Sequence, residues 1–107
     1  MYAPIAGAQV FGTNEVTTAV TAAGSVAQSN ARVRVTLQNV GQAIVGVLCS
    51  NSTVPATLDQ CAYLLAPASA LNKADGGVAI INDTQARISY IFDGGGTNPK
   101  LKVTVLT

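Results

Sequence analysis

The chain has 107 residues, which is a typical length for one domain. Hydrophobic residues make up 49% of it, but aromatic residues make up only 5% and Trp is absent. The core must therefore consist mainly of Val, Ile, Leu and Ala, which bury less area per side chain than Phe or Trp. We expect neighbouring subunits to complete the burial.

Charged residues make up 10% of the sequence, against about 25% in an average soluble domain. The net charge is +1, without the clustered basic excess of a nucleic-acid-binding protein. No apolar run approaches the roughly 18 residues that span a bilayer. The composition predicts neither a nucleic acid nor a membrane as partner and favours a protein packed against other proteins. A weakly charged secreted domain is the alternative.

The predicted organisation is an N-terminal arm over residues 1–15 and one domain over residues 16–107. The first seven residues lack the basic and apolar regions of a signal peptide, which favours synthesis in a cytoplasm without export. The arm contains Gly and Pro with scattered apolar residues and cannot bury a face alone. It is either a disordered tail or a segment that orders against a neighbour. In the second case its anchors are Tyr2, Ile5, Val10 and Phe11.

Along the domain, the first β-branched segment is residues 16–21, which predict a strand. A turn is predicted at residues 23–25, and residues 25–28 predict a weakly paired segment. The clearest strand is residues 32–39, because apolar and polar side chains alternate there. The buried face of this strand is predicted to carry Val33, Val35 and Leu37. Its solvent-facing side is predicted to carry Arg32, Arg34, Thr36 and Gln38.

The remaining chain continues with short apolar segments separated by turn residues. Strands are predicted at residues 43–49, 62–65, 70–73, 78–81, 87–92 and 100–106. Gly46 predicts a bulge or a close approach of another segment within the first of these. Residues 50–61 form a polar insert, and residues 93–99 form a glycine-rich loop. In the last strand Leu101, Val103 and Val105 are predicted to face inward.

Seven or eight short strands at intervals of roughly 8–12 residues are typical of an antiparallel sandwich or small barrel. No internal repeat of a solenoid is visible. The predicted fold is all-β: an antiparallel, jelly-roll-like β-sandwich with an extended N-terminal arm.

The sequence offers little for catalysis. It contains no His, which is the commonest general base and metal ligand. The acidic residues are scattered, and Asp75 and Asp93 each precede Gly, where Asp forms turns. The sequence therefore predicts no enzyme, no cofactor and no metal site.

The two cysteines, Cys49 and Cys61, bracket the polar insert. If they face each other at the base of a hairpin, a disulfide would contribute about 3 kcal/mol in the chain-entropy model. Synthesis in a cytoplasm favours free thiols. Both alternatives stay open at the level of sequence.

Residues 31–107 resemble small phage virion proteins of the capsid decoration, or cement, type and related head accessory domains. The resemblance consists of an alternating strand ending in Asn39, a second apolar strand, a polar insert, the step Leu65, Ala66 and Pro67, and three further strands. The family's usual Leu-x-Pro-Gly step has Ala68 in place of Gly here.

The resemblance implies a non-enzymatic structural protein on the surface of a virion capsid, made in the host cytoplasm. Its implied partners are the major capsid protein and sister subunits in a trimer or dimer. The alternative function is a receptor- or carbohydrate-binding module of a tail or spike. Such modules stack aromatic rings on sugars, and the domain offers only Tyr63 and Tyr90 for that purpose.

Overall fold

The computed structural model describes residues 15–68, 76–82 and 85–107. The described residues form eight strands and one short 3-10 turn, Leu58–Gln60. The strands are β1 Glu15–Val20, β2 Gly24–Val26, β3 Arg34–Asn39, β4 Val45–Cys49, β5 Tyr63–Leu65, β6 Val78–Asn82, β7 Ile88–Phe92 and β8 Leu101–Leu106. The predicted all-β fold is confirmed.

The strands form two antiparallel sheets of four strands each. Sheet A has the order β1-β8-β3-β6, and sheet B has the order β2-β7-β4-β5. The first four strands pair with the last four in reverse order, as in one long hairpin: β1–β8, β2–β7, β3–β6 and β4–β5. The pairs β3–β8 and β4–β7 close that hairpin into a roll. This is the topology of an eight-stranded jelly roll.

The core lies between the sheets and is aliphatic, as the composition predicts. Val35 and Leu37 of β3 are fully buried, and they alternate with half-buried Arg34, Thr36 and Gln38. The inward residues Leu101 and Val103 of β8 are also buried, and Val105 packs against the core. Among the described residues, Tyr90 is the buried aromatic side chain of this core, and partly buried Phe92 packs against it.

Most predicted strands are confirmed within two residues of their ends, but three predictions need comment. The predicted turn at residues 23–25 is wrong, because Gly24 begins β2. Glu15 is the first residue of β1, although it was assigned to the arm. The rest of the arm and the predicted strand at residues 70–73 lie outside the described residues.

The prediction that Arg32 lies on the solvent-facing side of the strand is wrong. Arg32 is 5% exposed, whereas Val33, which was predicted to be buried, is 38% exposed. The physical reason is that the regular strand begins only at Arg34, so the two preceding residues do not follow its alternation. The guanidinium of Arg32 donates to the carbonyl oxygens of Ala27 and Ala86 at 3.0 and 2.5 Å.

Candidate functional site

Among the described residues, one side of the sandwich carries an apolar surface without charged side chains, formed where β5 and β6 lie at the edges of their sheets. Four large apolar side chains are exposed there: Tyr63 at 51%, Leu64 at 59%, Val78 at 48% and Ile80 at 61%. We call these four residues the β5–β6 edge. A groove of about 460 Å³ lies between the two strands.

The pleat of each strand explains why this surface is continuous. In β5, Leu65 is buried and Leu64, the residue before it, faces outward from sheet B. Tyr63 lies at the opening between the sheets. Val78 and Ile80 flank buried Ala79 and face outward from sheet A. Apolar side chains therefore extend from one outer face, across the opening, to the other.

Within the described residues, neither strand of the β5–β6 edge contains a charged residue or Pro. Natural sheets discourage strand-to-strand association with charged residues or Pro on their edges. None of the groove-lining residues, at positions 62–65 and 78–81, is charged. The surface is therefore suited to contact with another protein.

The opposite side of the sandwich is also open. There the side chains of β1 and β8 and the short strand β2 line a cleft of about 360 Å³. Val16 is 61% exposed and Val20 is half-buried, although both share a face with the buried core of β8. The opening arises because β2 has three residues and β1 has six, so sheet B does not cover β1 fully.

The two thiols lie on opposite faces of sheet B. Cys49 alternates with buried Val45 and Val47 and packs against the core. Cys61 lies over Gly46 on the outer face and donates weakly to the carbonyl oxygen of Thr57 at 3.7 Å. Both cysteines are free in the structure.

Burial raises the pKa of both thiols above the ordinary value. The positive charge of Arg32 partly opposes this effect on the pKa of Cys49. A raised pKa reduces the thiolate fraction at neutral pH, and thiolate is the reactive form. Neither side chain has the environment of an activated nucleophile.

Gly46 has a clear packing role. A Cβ atom at this position would lie 2.5 Å from Sγ of Cys61 and 3.0 Å from Cδ2 of Leu58. The predicted close approach is thus made by side chains of the insert, which cover sheet B on its outer face at Gly46. The insert is further anchored by Asn51, whose Oδ1 accepts the backbone N–H of Arg87 at 2.8 Å.

We expect Gly46→Ala to lower the free energy of unfolding by about 1–3 kcal/mol, because it overpacks this contact. Gly94→Ala is the matched control, since a Cβ there meets nothing within 4 Å. Urea denaturation of the two variants measures the difference. Cys61→Ala in the Gly46→Ala background should recover part of the loss. Equal stabilities of the two glycine variants would show that the insert moves to accommodate the added methyl group without loss of stability.

The described acidic residues do not assemble into a site. Among residues in the described ranges, no group of three His, Cys, Asp or Glu side chains is placed to hold a metal ion. Oδ1 of Asp93 accepts the backbone N–H of Gly95 at 3.1 Å, as expected for a turn-forming Asp. Asp75 lies outside the described residues. Of the two tyrosines considered for sugar stacking, Tyr90 is 7% exposed, so only Tyr63 presents an accessible ring.

The predicted contact residues Tyr2, Ile5, Val10 and Phe11 also lie outside the described residues. Sequence reasoning missed the β5–β6 edge, although a signal for it was present. The runs at positions 62–65 and 78–81 contain no charged residue and do not alternate with polar residues, so both faces of each strand are apolar. A strand with two apolar faces is either enclosed on both or exposes one of them to a partner.

Comparison with protein-family models, with characterised proteins and with solved structures finds no match to this chain. Within the described ranges, no helix has the length and hydropathy needed to cross a membrane.

Proposed function

We propose that the chain is a non-enzymatic structural protein of a phage virion, which decorates or cements the capsid through protein–protein contacts. It is made in the host cytoplasm and is bound at the capsid surface. Its partners are the major capsid protein and sister subunits.

The observation that supports this proposal best is that both sides of the sandwich are open and apolar. A free-standing domain normally buries such side chains or surrounds them with charge. Here Ile80 and Val16, on opposite sides of the sandwich, are each 61% exposed. Contacts with neighbours on both sides would complete the burial that the small aliphatic core provides only in part.

Two further considerations support the same function. Viral capsid domains are among the proteins that use double-sheet jelly rolls, although lectins and cupins use them too, and a fold alone does not determine function. The resemblance of residues 31–107 to capsid decoration proteins points to the capsid among these uses. The chain also has no His, so a His-assisted nucleophile or acid–base pair cannot be built from it.

The direct test is the composition of purified particles of the phage that encodes the chain. We expect the protein at a fixed ratio to the major capsid protein, and we expect particles that lack it to lose integrity at a lower temperature. Density-gradient purification, quantitative mass spectrometry and thermal release of the genome measure these properties. Detection of the protein only in infected-cell lysate, never in particles, would contradict the proposal.

The N-terminal segment provides a second test. We expect deletion of residues 1–14 to abolish co-sedimentation with capsids that lack the protein, while the domain stays folded. The deletion ends before Glu15, because this residue begins β1 and pairs there with Leu106 of β8. Its carboxylate also lies 3.9 Å from Nη2 of Arg34. Circular dichroism provides the folding control. Undiminished binding of the truncated chain would show that the domain itself makes the contact.

A further inference from the structure

We propose that the β5–β6 edge binds a second copy of this chain about a two-fold axis that passes close to Ile80. The inference relies on the proposed function only in treating this edge as an assembly surface. It identifies the partner as a sister subunit, in contact through the same residues on both copies.

The chemistry of the edge favours a second copy. Tyr63, Leu64, Val78 and Ile80 present no charge for an oppositely charged partner to recognise. The described charged side chains belong to other elements, including Glu15 in β1, Arg34 in β3 and Lys102 in β8. The four described side chains of two copies can therefore meet without placing like charges together or desolvating an ion. Large exposed aliphatic and aromatic side chains meeting their own kind are typical of self-association.

The strand arrangement favours a two-fold axis. β6 is the outermost strand of sheet A, and every pair in that sheet is antiparallel. Two copies of an edge strand related by a two-fold axis perpendicular to the sheet are also antiparallel, so β6 and the β6 of a second copy extend the existing pattern. Ile80 is the central residue of Val78–Asn82. The axis therefore places Ile80 beside Ile80 of the second copy, a β-branched cross-strand pair of the stabilising kind.

This symmetry also limits the assembly to two subunits. An isologous contact uses the same patch on both subunits and stops at a dimer. A contact between the β5–β6 edge and the cleft beside Val16 would instead join different surfaces and continue into a ring or a filament. The mass of the isolated protein therefore separates the two arrangements.

The first experiment measures the mass of the full-length protein by sedimentation across a concentration series. We expect a dimer, and we expect Ile80→Lys to raise its dissociation constant by about 100-fold or more, as for an interface hot spot. Val54→Lys is the matched control, because Val54 is 65% exposed but lies in the insert. It should leave the dimer intact. A monomeric wild type, an open-ended polymer, or equal effects of the two lysines would each overturn the proposal.

The second experiment tests the symmetry without destabilising the contact. Near a two-fold axis, a single cysteine meets the same cysteine of the other copy, so mild oxidation of Ile80→Cys should yield a covalent dimer. Val54→Cys and the wild type, which retains Cys49 and Cys61, provide the baseline. Covalent dimer at the baseline level in Ile80→Cys would overturn the two-fold arrangement even if the wild type dimerises.

The outcomes distinguish this inference from the proposed function. A protein that is monomeric in isolation but present in particles at a fixed ratio overturns the dimer and leaves the capsid role standing. A protein that forms the dimer but never appears in particles supports the dimer and overturns the capsid role.

Discussion

Replacing Asn39 by alanine is expected to lower the free energy of unfolding by about 3–5 kcal/mol, because a buried group that satisfies several others is lost. Asn39 is the last residue of β3 and is 0% exposed. Its Nδ2 donates to the carbonyl oxygens of Ala43 and Leu65 at 2.7 and 3.0 Å. Its Oδ1 accepts the backbone N–H of Gly41 at 3.1 Å.

The expected loss of stability is large because three backbone groups form hydrogen bonds with this one side chain. In Asn39→Ala, two carbonyl groups and one N–H lose a partner in the interior, and each unsatisfied group costs about 1–3 kcal/mol before relaxation. The backbone of Asn39 also bonds to Gly76 and Gly77, ahead of β6. The residue thus joins the start of β4, the end of β5 and the approach to β6.

Two variants show whether the hydrogen bonds cause the loss. Asn82→Ala, at an exposed position at the end of β6, should change stability by less than about 0.5 kcal/mol. Asn39→Asp keeps an acceptor for Gly41 but directs an oxygen at two carbonyl groups, so folding should raise the pKa of the new carboxyl. Its stability should therefore rise as the pH falls through that raised pKa. Denaturation of Asn39→Ala at the wild-type midpoint would refute this role of the side chain.

The sequence predicted the class of fold because the signal for strands is local. The alternation of Val35 and Leu37 with polar neighbours depends only on the pleat of β3, and both residues are buried as expected. The alternation of Leu101 and Val103 in β8 works in the same way. The pairing order does not follow from such patterns, because β1 and β8 are the first and last strands and yet lie side by side.

The same limit explains why the β5–β6 edge was not predicted. An apolar strand such as Val78–Asn82 looks alike whether it is central or outermost, and only the pairing order places it at the edge. The role of Cys61 was missed for a related reason: its position over Gly46 depends on the path of the insert across sheet B. Asn39 was predicted as the end of a strand, and its buried hydrogen bonds require the ends of two other strands to be nearby.

Replacing Arg32 by methionine is expected to lower the free energy of unfolding by about 2–4 kcal/mol, because two carbonyl groups lose charged donors. The carbonyl of Ala27 lies in the β2–β3 connection and that of Ala86 lies two residues before β7, so the guanidinium joins two loops at one end of the sandwich. Ser29 supports this contact through a backbone hydrogen bond to the carbonyl of Gln85 at 3.0 Å. Burial lowers the pKa of Arg32, but the guanidinium remains charged over the range of these measurements.

Arg34→Met is the matched control, two residues further along the chain. The side chain of Arg34 is 42% exposed, and its Nη2 lies 3.9 Å from a carboxylate oxygen of Glu15. An exposed pair of this kind contributes between 0 and about 1 kcal/mol, so the control should denature close to the wild type. Methionine preserves most of the apolar length of each side chain, and the comparison therefore isolates the guanidinium. Equal costs at the two positions would mean that Arg32 stabilises the fold through its general charge, without a specific contribution from its contacts with the two loops.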